Sequence, residues 1–427
     1  MTSRRDFLAA SAATAGAGLL PSAVHAAGSD IIRVGLIGCG GRGTGAAQDC
    51  LTAGKTGVKL VAVGDAFEGR AKSAAQTLSN KFKDQVDLGD RVYSGLDAYE
   101  KVIAAGVDLV LLATPPGFRP THLEAAVKAG KHIFCEKPVA VDAPGIRKCF
   151  DLVEEVKNKK LALVAGTQRR HQAGYLETMK RIHGGEIGEI VSARCSWNGQ
   201  GIWFNKRAAN ETDVAYQLRN WYHFLWVCGD HIVEQHIHNL DVINWALKSH
   251  PVKAVGFGGR TAGNKSRPGG DPNEVGHIWD HFAVEFEYPG GVHVSSYCTH
   301  LENVKTDISE TVYGSKGTSR VNAYSINKKK VFEKDEISAY VQEHIDLLAS
   351  IKKGEPLNEL QSVTESTFTA ILGREACYSG MELKWDDLLK STKATMPSGL
   401  TMNTKIEVSP TPVPGKYKPF TEKAKKA

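Results

Sequence analysis

Gly229-Asp230-His231-Ile232-Val233-Glu234-Gln235-His236-Ile237-His238-Asn239-Leu240-Asp241 brings three imidazoles and three carboxylates into one short stretch. Val233, Ile237, Leu240 and Ala246 fall at helical spacings, so the segment reads as a helix near 231–248. On that helix His231, Glu234, His238 and Asp241, separated by three, four and three residues, share one face, and His236 points elsewhere. An imidazole with a carboxylate four residues earlier is a proton-transfer pair, because the acid orients the ring and supports its charged form. Glu234 and His238 are thus candidates for acid/base work. Two other readings stay open: a metal site of His231, Glu234 and His238, or histidines satisfied inside a buried polar network. The sequence has His-x-x-Glu-Gln-His where an inverzincin has His-x-x-Glu-His, and the extra residue turns the last His off the face.

Two constellations nearer the N-terminus supply different chemistry. Val34, Leu36 and Ile37 run as a buried strand into Gly38-x-Gly40-x-x-Gly43, with Gly41 and Arg42 inside the turn and a helix after it. The first glycine permits the tight turn, the second admits a pyrophosphate, and the third lets the helix pack on the strand. The helix N-terminus offers N–H donors to phosphate oxygens. A second apolar run, 58–63, ends in Gly64-Asp65, and Asp65 lies 22 residues beyond Gly43, where an acid binds the adenosine ribose. Cys135-Glu136-Lys137-Pro138 follows another apolar run, 131–134. At the carboxyl end of a parallel strand, Glu136 and Lys137 face the nicotinamide end of a bound dinucleotide, and the lysine can stabilise an oxyanion.

The elements needed to hold these groups change character near residue 160. Strands at 32–37, 58–64, 108–113, 131–135 and 161–165 alternate with helices near 43–53, 68–81, 96–105, 120–129 and 144–157. That rhythm predicts a doubly wound parallel sheet, an α/β Rossmann architecture. Beyond it, runs at 189–198, 252–259, 280–287, 291–299, 308–313 and 317–323 follow one another, with a hairpin signal at Tyr288-Pro289-Gly290-Gly291. They predict a mostly antiparallel, open-faced sheet in an α+β domain, with helices near 172–183, 231–248, 338–353 and 361–379. The expected division is a leader at 1–26, a dinucleotide-binding domain at 30–160, a substrate and oligomerisation domain at 161–390 and an extended, partly solvated arm at 391–427. That arm either lies along its own chain or embraces a neighbouring subunit.

Ser3-Arg4-Arg5-Asp6-Phe7-Leu8, an Ala/Gly-rich stretch and Val24-His25-Ala26 read as a twin-arginine leader cleaved after Ala26. The expectation is export of a folded, cofactor-loaded protein by the twin-arginine translocase to the periplasm or beyond. No segment is long and apolar enough to predict a membrane span. The net charge of +6 rests partly on leader arginines and a Lys-rich tail, which does not argue for a nucleic-acid partner. Eight cysteines lie scattered without metal-ligand spacing, so free, mostly buried thiols and no metal are expected.

Together these pieces resemble the Gfo/Idh/MocA family, named for glucose–fructose oxidoreductase, inositol dehydrogenase and a rhizopine-catabolism protein. The resemblance rests on the glycine turn, Ala113-Thr114-Pro115-Pro116 with His122 downstream, Glu136-Lys137-Pro138, Gly185-Glu186-Ile187-Gly188-Glu189-Ile190 and His238-Asn239-Leu240-Asp241. It implies Gly38, Gly40, Gly41, Arg42, Gly43, Asp65, Thr114, Pro115, His122, Glu136 and Lys137 around the cofactor. It also implies catalysis by Lys137 and His238, with Glu234 where the family usually has Asp. Asp230-His231 replaces a stretch often rich in glycine, which makes His231 an additional catalytic candidate. Gln168, Arg170, Trp203, Arg219 and Tyr222 are substrate-binding candidates, the aromatic ones as a sugar-stacking wall.

These readings converge on an NAD(P)-dependent oxidoreductase acting on a secondary alcohol of a sugar, glycoside or polyol. Asp65 favours NAD over NADP by repelling a 2′-phosphate, and Arg70 moderates that preference. Outside the cytoplasm the cofactor must stay bound and be reset within the site. Oxidation of one substrate with reduction of another achieves this, as does a glycosidase that transiently oxidises a ring carbon, eliminates the aglycone, adds water and reduces again. The contrasting expectation is a secreted, non-enzymatic sugar-binding protein.

Overall fold

The computed structural model describes residues 31–261 and 269–420. Six parallel strands, β1 (Ile32–Ile37), β2 (Val58–Asp65), β3 (Val92–Ser94), β4 (Leu109–Leu112), β5 (His132–Cys135) and β6 (Leu163–Ala165), form the first sheet in the order 3-2-1-4-5-6. Leu109, Val110, Leu111 and Leu112 are all buried, as a strand covered by helices on both faces requires. Apolar clusters fill the two faces: Leu36, Leu60 and Phe134 on one, Ile37, Leu112 and Ile133 on the other. β3 was not foreseen; three residues carry too little periodicity to announce a strand.

The second sheet comprises β7 (Ile190–Gly199), β8 (Lys253–Gly259), β9 (His281–Tyr288), β10 (Val292–His300), β11 (Asp307–Gly314), β12 (Gly317–Arg320), β13 (Ser325–Ile326), β14 (Lys329–Lys330) and β15 (Leu383–Lys384). Their order is 14-13-12-11-7-10-9-8-15, antiparallel except where β10 runs parallel to β7. The Tyr288–Gly291 turn joins β9 to β10 as expected. Phe282, Val284 and Phe286 alternate inward against helices Ile237–Leu247 and Leu360–Ser379. Phe257, Ala283 and Tyr297 stand across the opposite, open face.

Three departures bear on function. The helix expected over 231–248 is two, His231–Glu234 and Ile237–Leu247. On an unbroken helix residues five apart point about 140° from one another, yet His231 and His236 both face β10, and the break permits it. Helices Asp213–Arg219 and Leu225–Cys228 also fill a segment that the sequence left unassigned. Finally, helix Ala339–Lys353 returns from the second half to pack on helix Gly41–Gly54 beside the glycine turn.

The arm from Ser391 contains no helix or strand through residue 420 and lies along its own chain. Thr395 bonds to Asp142, and Trp279 Nε1 donates to Pro412 O at 3.0 Å. All eight cysteines are buried thiols. No described helix is long and apolar enough to cross a membrane. The segment expected to be a twin-arginine leader lies outside the described residues.

Candidate active site

A cleft of about 680 Å³ opens between the carboxyl ends of β1, β2, β4 and β5 and the segment 201–238 of the second half. Its floor is the glycine turn. Gly38 has φ +97°, and a Cβ there would stand 2.6 Å from the Thr114 nitrogen. A Cβ on Gly43 would overlap the Gly38 carbonyl oxygen. Gly40 and Gly41 instead face open space, where an added Cβ meets nothing within 4 Å. No side chain caps the N-terminus of helix Gly41–Gly54, and no acidic residue occupies its first turn, so its dipole is directed into the cleft. That arrangement fits a dinucleotide pyrophosphate.

Asp65 lies in the lining at the end of β2, but its carboxylate also braces the turn: Oδ2 accepts from Cys39 N at 2.7 Å and Oδ1 from Phe67 N at 2.9 Å. On the other side of β1, Arg119 donates to the carbonyl oxygens of Thr114, Glu136 and Pro138, fastening the β4 loop to the β5 loop. Sequence reasoning missed this buried guanidinium, because nothing in its local pattern distinguishes it from a surface arginine. Thr114 Oγ1 bonds His122 Nδ1 at 3.1 Å, and burial pushes that imidazole down to about 3. Arg42 pairs with Glu136, reaches Glu343 at 3.4 Å and lies over the Tyr340 ring. Thr114, Pro115, His122, Arg42 and Glu136 all line the cleft, as does the unforeseen Tyr340.

Lys137 and His238, from opposite halves, line the same cleft. The Lys137 ammonium donates to Glu234 O at 2.6 Å and to Glu234 Oε1 at 3.0 Å, in a pair whose side chains are 9% and 11% exposed. The expected Glu234–His238 partnership is therefore replaced by Glu234–Lys137, because the helix break redirects the carboxylate. His238 stacks on Trp197, with ring centroids 5.7 Å apart. Burial holds its imidazole well below the usual histidine value, and Lys137, Arg169 and Arg42 act in the same direction. His238 is thus a neutral ring near pH 7.

The remaining candidates divide. Trp203 and Tyr222 line the cleft beside Trp221, and the Tyr222 hydroxyl bonds His300 Nε2 at 2.9 Å. His300 Nδ1 is 2.8 Å from the Gln200 carbonyl, so Nδ1 carries the proton and Nε2 accepts from Tyr222. His231, Gln168, Arg170 and Arg219 are not among the cleft-lining residues. His231 is wholly buried, with its Nδ1 3.1 Å from Asp230 Oδ1 and its ring against Phe282 and His300. It belongs to the buried polar network, and the metal set of His231, Glu234 and His238 does not converge. Arg170 is held bidentately by Asp241, and Arg219 by Glu211. Among the described residues the Gln168 side chain reaches only the Tyr340 hydroxyl, at 3.4 Å. In each arginine a nearby carboxylate claims the guanidinium before a substrate can.

Residues 32–167 match the family model described as "Oxidoreductase family, NAD-binding Rossmann fold", and residues 175–320 match the GFO/IDH/MocA C-terminal domain. The chain belongs to the GFO/IDH/MocA family. Inositol 2-dehydrogenase of Azotobacter vinelandii is 32% identical over 226 residues, 52% of this chain and 56% of that enzyme. That of Klebsiella pneumoniae strain 342 is 31% identical over 219 residues, 51% and 54% of the two chains. The chain thus spans about half the length of the curated relatives it matches.

Two solved structures share the fold of this family member. Aldose-aldose oxidoreductase from Caulobacter crescentus, complexed with glycerol, superposes with TM-score 0.63 at 17% identity, covering 83% of this chain and 99% of that one. WlbA dehydrogenase from Bordetella pertussis, in complex with NADH and UDP-GlcNAcA, gives 0.62 at 20% identity, over 83% and 98%. The Rossmann half with its glycine floor is the family's site for NAD(P).

Proposed function

We propose that this GFO/IDH/MocA protein is an NAD(P)-dependent oxidoreductase that acts on a secondary alcohol of a sugar, glycoside or polyol and retains its cofactor between half-reactions. The observation that carries the reading is the meeting of Lys137 and His238 in one cleft floored by the glycine turn. The inositol dehydrogenases among its relatives support a polyhydroxylated substrate. A dinucleotide held on the glycine turn, with Asp65 at the ribose, would supply hydride transfer at the carbinol carbon.

The chain's own groups handle the proton and the charge. His238, uncharged near pH 7, accepts the hydroxyl proton. The Lys137 ammonium stabilises the oxyanion as the carbonyl forms, and Glu234 holds that ammonium at the cleft wall. Trp203 and Trp221 offer apolar faces to a sugar or polyol ring. Asp65 supports a preference for NAD. Twin-arginine export, a periplasmic or secreted location and a homo-oligomer built on the open sheet face complete this reading.

A redox-neutral glycosidase is the second reading, favoured by the Tyr222–His300 pair. That pair adds a proton-transfer group besides His238, and elimination after ring oxidation needs one. Denaturing the purified protein and identifying any released nucleotide tests both readings, followed by monitoring its redox state while polyols and glycosides are screened. Bound nucleotide that cycles without accumulation of free NADH is the expected result. Sugar release without net redox selects the glycosidase. Steady free NADH sinks the retained-cofactor reading, and absence of both redox change and sugar release leaves only a binding protein.

A further inference from the structure

We propose that residues 213–228, strapped down by the C-terminal arm, form a fixed cover over the adenosine end of the cleft and hold the dinucleotide against exchange. The proposal deepens the retained-cofactor reading and rests on it. In a sheet of order 3-2-1-4-5-6 the adenosine half of a dinucleotide lies beyond β2 and β3, here at Asp65, Phe67 and Leu96. Leu218 lines the same cleft from the other half.

The cover is anchored on the Rossmann half by apolar contact. Leu218, Phe224, Trp226 and Val227 form one cluster, against which Phe67, Leu96 and Phe118 pack. The Trp226 ring meets Phe118 edge-on at 5.9 Å. Gly117 leaves no room for a side chain, since a Cβ there would overlap the Trp226 carbonyl oxygen. The first half thus presses its backbone directly onto the cover. The enclosed space suits a flat, neutral adenine between apolar side chains, with Asp65 placed for ribose hydroxyls.

The arm holds the cover from residues nearly two hundred positions later. Val408 joins the same cluster, and Met396, Leu400, Met402 and Ile406 pack against it. Ile406 N donates to Asp213 Oδ2 at 3.2 Å, and Val408 N donates to Asn273 Oδ1 at 2.8 Å. Trp226 Nε1 donates to Gln217 Oε1 at 2.6 Å, which ties the two cover helices together. On either side of that stretch, Thr395 N donates to Asp142 Oδ2 at 2.7 Å, and Tyr417 OH donates to Glu375 Oε2 at 2.9 Å. The strap is therefore pinned to the Rossmann half at Asp142 and to the second half at Asp213 and Glu375. Opening the adenosine end requires several of these contacts to break together, which makes opening rare.

The test is nucleotide release from NADH-loaded protein, followed as loss of bound-NADH fluorescence during a chase with excess NAD+. One variant ends at Lys390. A milder one, the full chain with Ile406→Ala and Val408→Ala, keeps the arm and removes its apolar seat. Both are expected to release NADH at least about tenfold faster than wild type while still unfolding cooperatively. Release from the double-alanine variant at the wild-type rate overturns the strap. Slow release from every protein leaves the retained-cofactor reading standing without the strap. Fast release from wild type with faster release from the variants supports the strap and removes that reading.

Discussion

The two walls of the cleft do their work with different atoms. The Rossmann wall presents mostly backbone: glycines that admit a ligand, a helix N-terminus and loops fastened by Arg119. The facing wall presents side chains held by ion pairs and stacked rings on short, broken helices, with Glu234 on Lys137 and Trp197 against His238. A backbone wall depends on the space around it, so it is sensitive to added atoms. A side-chain wall depends on charge and hydrogen bonding, so it is sensitive to altered chemistry at constant shape.

Substitutions of charged side chains and of close-packed backbone should separate accordingly. Lys137→Ala is expected to lower turnover by about a hundredfold to a thousandfold, because the developing oxyanion loses its cation, with nucleotide still bound. Turnover within tenfold of wild type would break the comparison. His238→Asn should cost about a hundredfold or more in kcat. In the wild type, the acid limb of the pH–rate profile should lie well below pH 6.5, since burial keeps the ring uncharged. A limb at or above 6.5 would remove His238 as the base.

Gly43→Ala tests the backbone of the Rossmann half, which also carries Lys137. Overlap with the Gly38 carbonyl is expected to cost about 1–3 kcal/mol, lowering Tm and loosening nucleotide in equilibrium dialysis. An unchanged Tm would show that the turn relaxes more easily than its packing suggests.

The smallest effect is a slope in stability against pH. His122 and His236 are held uncharged by burial, down to about 3, and His277 to about 4. Between those values and the ordinary 6.5 the unfolded chain binds more protons than the native one, so Tm should fall as pH drops from 6.5 toward 4. His171 acts oppositely: Asp346 and Glu359 outweigh its burial and raise it to about 10. Its contribution is full below 6.5 and fades as pH rises through 10. A Tm independent of pH from 6.5 to 4 would contradict the buried neutral histidines.

How far the molecule was legible differs between the walls for the same reason. The glycine turn, Asp65 and the Glu136-Lys137 strand end are local: a strand, a turn and a helix in succession fix their geometry. Glu234 was legible as a site residue but not in its partner, because helical spacing presumes an unbroken helix. Asp230, held by His231, Tyr378 and the Trp279 N–H, helps set the path of that segment through contacts up to 148 residues away. Arg170 and Arg219 looked available because their carboxylate partners, Asp241 and Glu211, are not neighbours in a way that spacing reveals. Tyr340 and the cover at 213–228 were missed for a related reason: each reaches the cleft only after the second half has folded onto the first.

The sequence alone determined the α/β class, the parallel sheet with its glycine floor, the sheet-rich second half and the residue types available for hydride chemistry. These follow from hydrophobic period and from the few conformations glycine and proline impose on adjacent residues. Only the tertiary structure decided which carboxylate holds Lys137, that His231 is core while His238 faces the cleft, and where the arm lies. Each of those is a competition among partners distant in the chain, settled by which buried polar group must be satisfied once the two halves close.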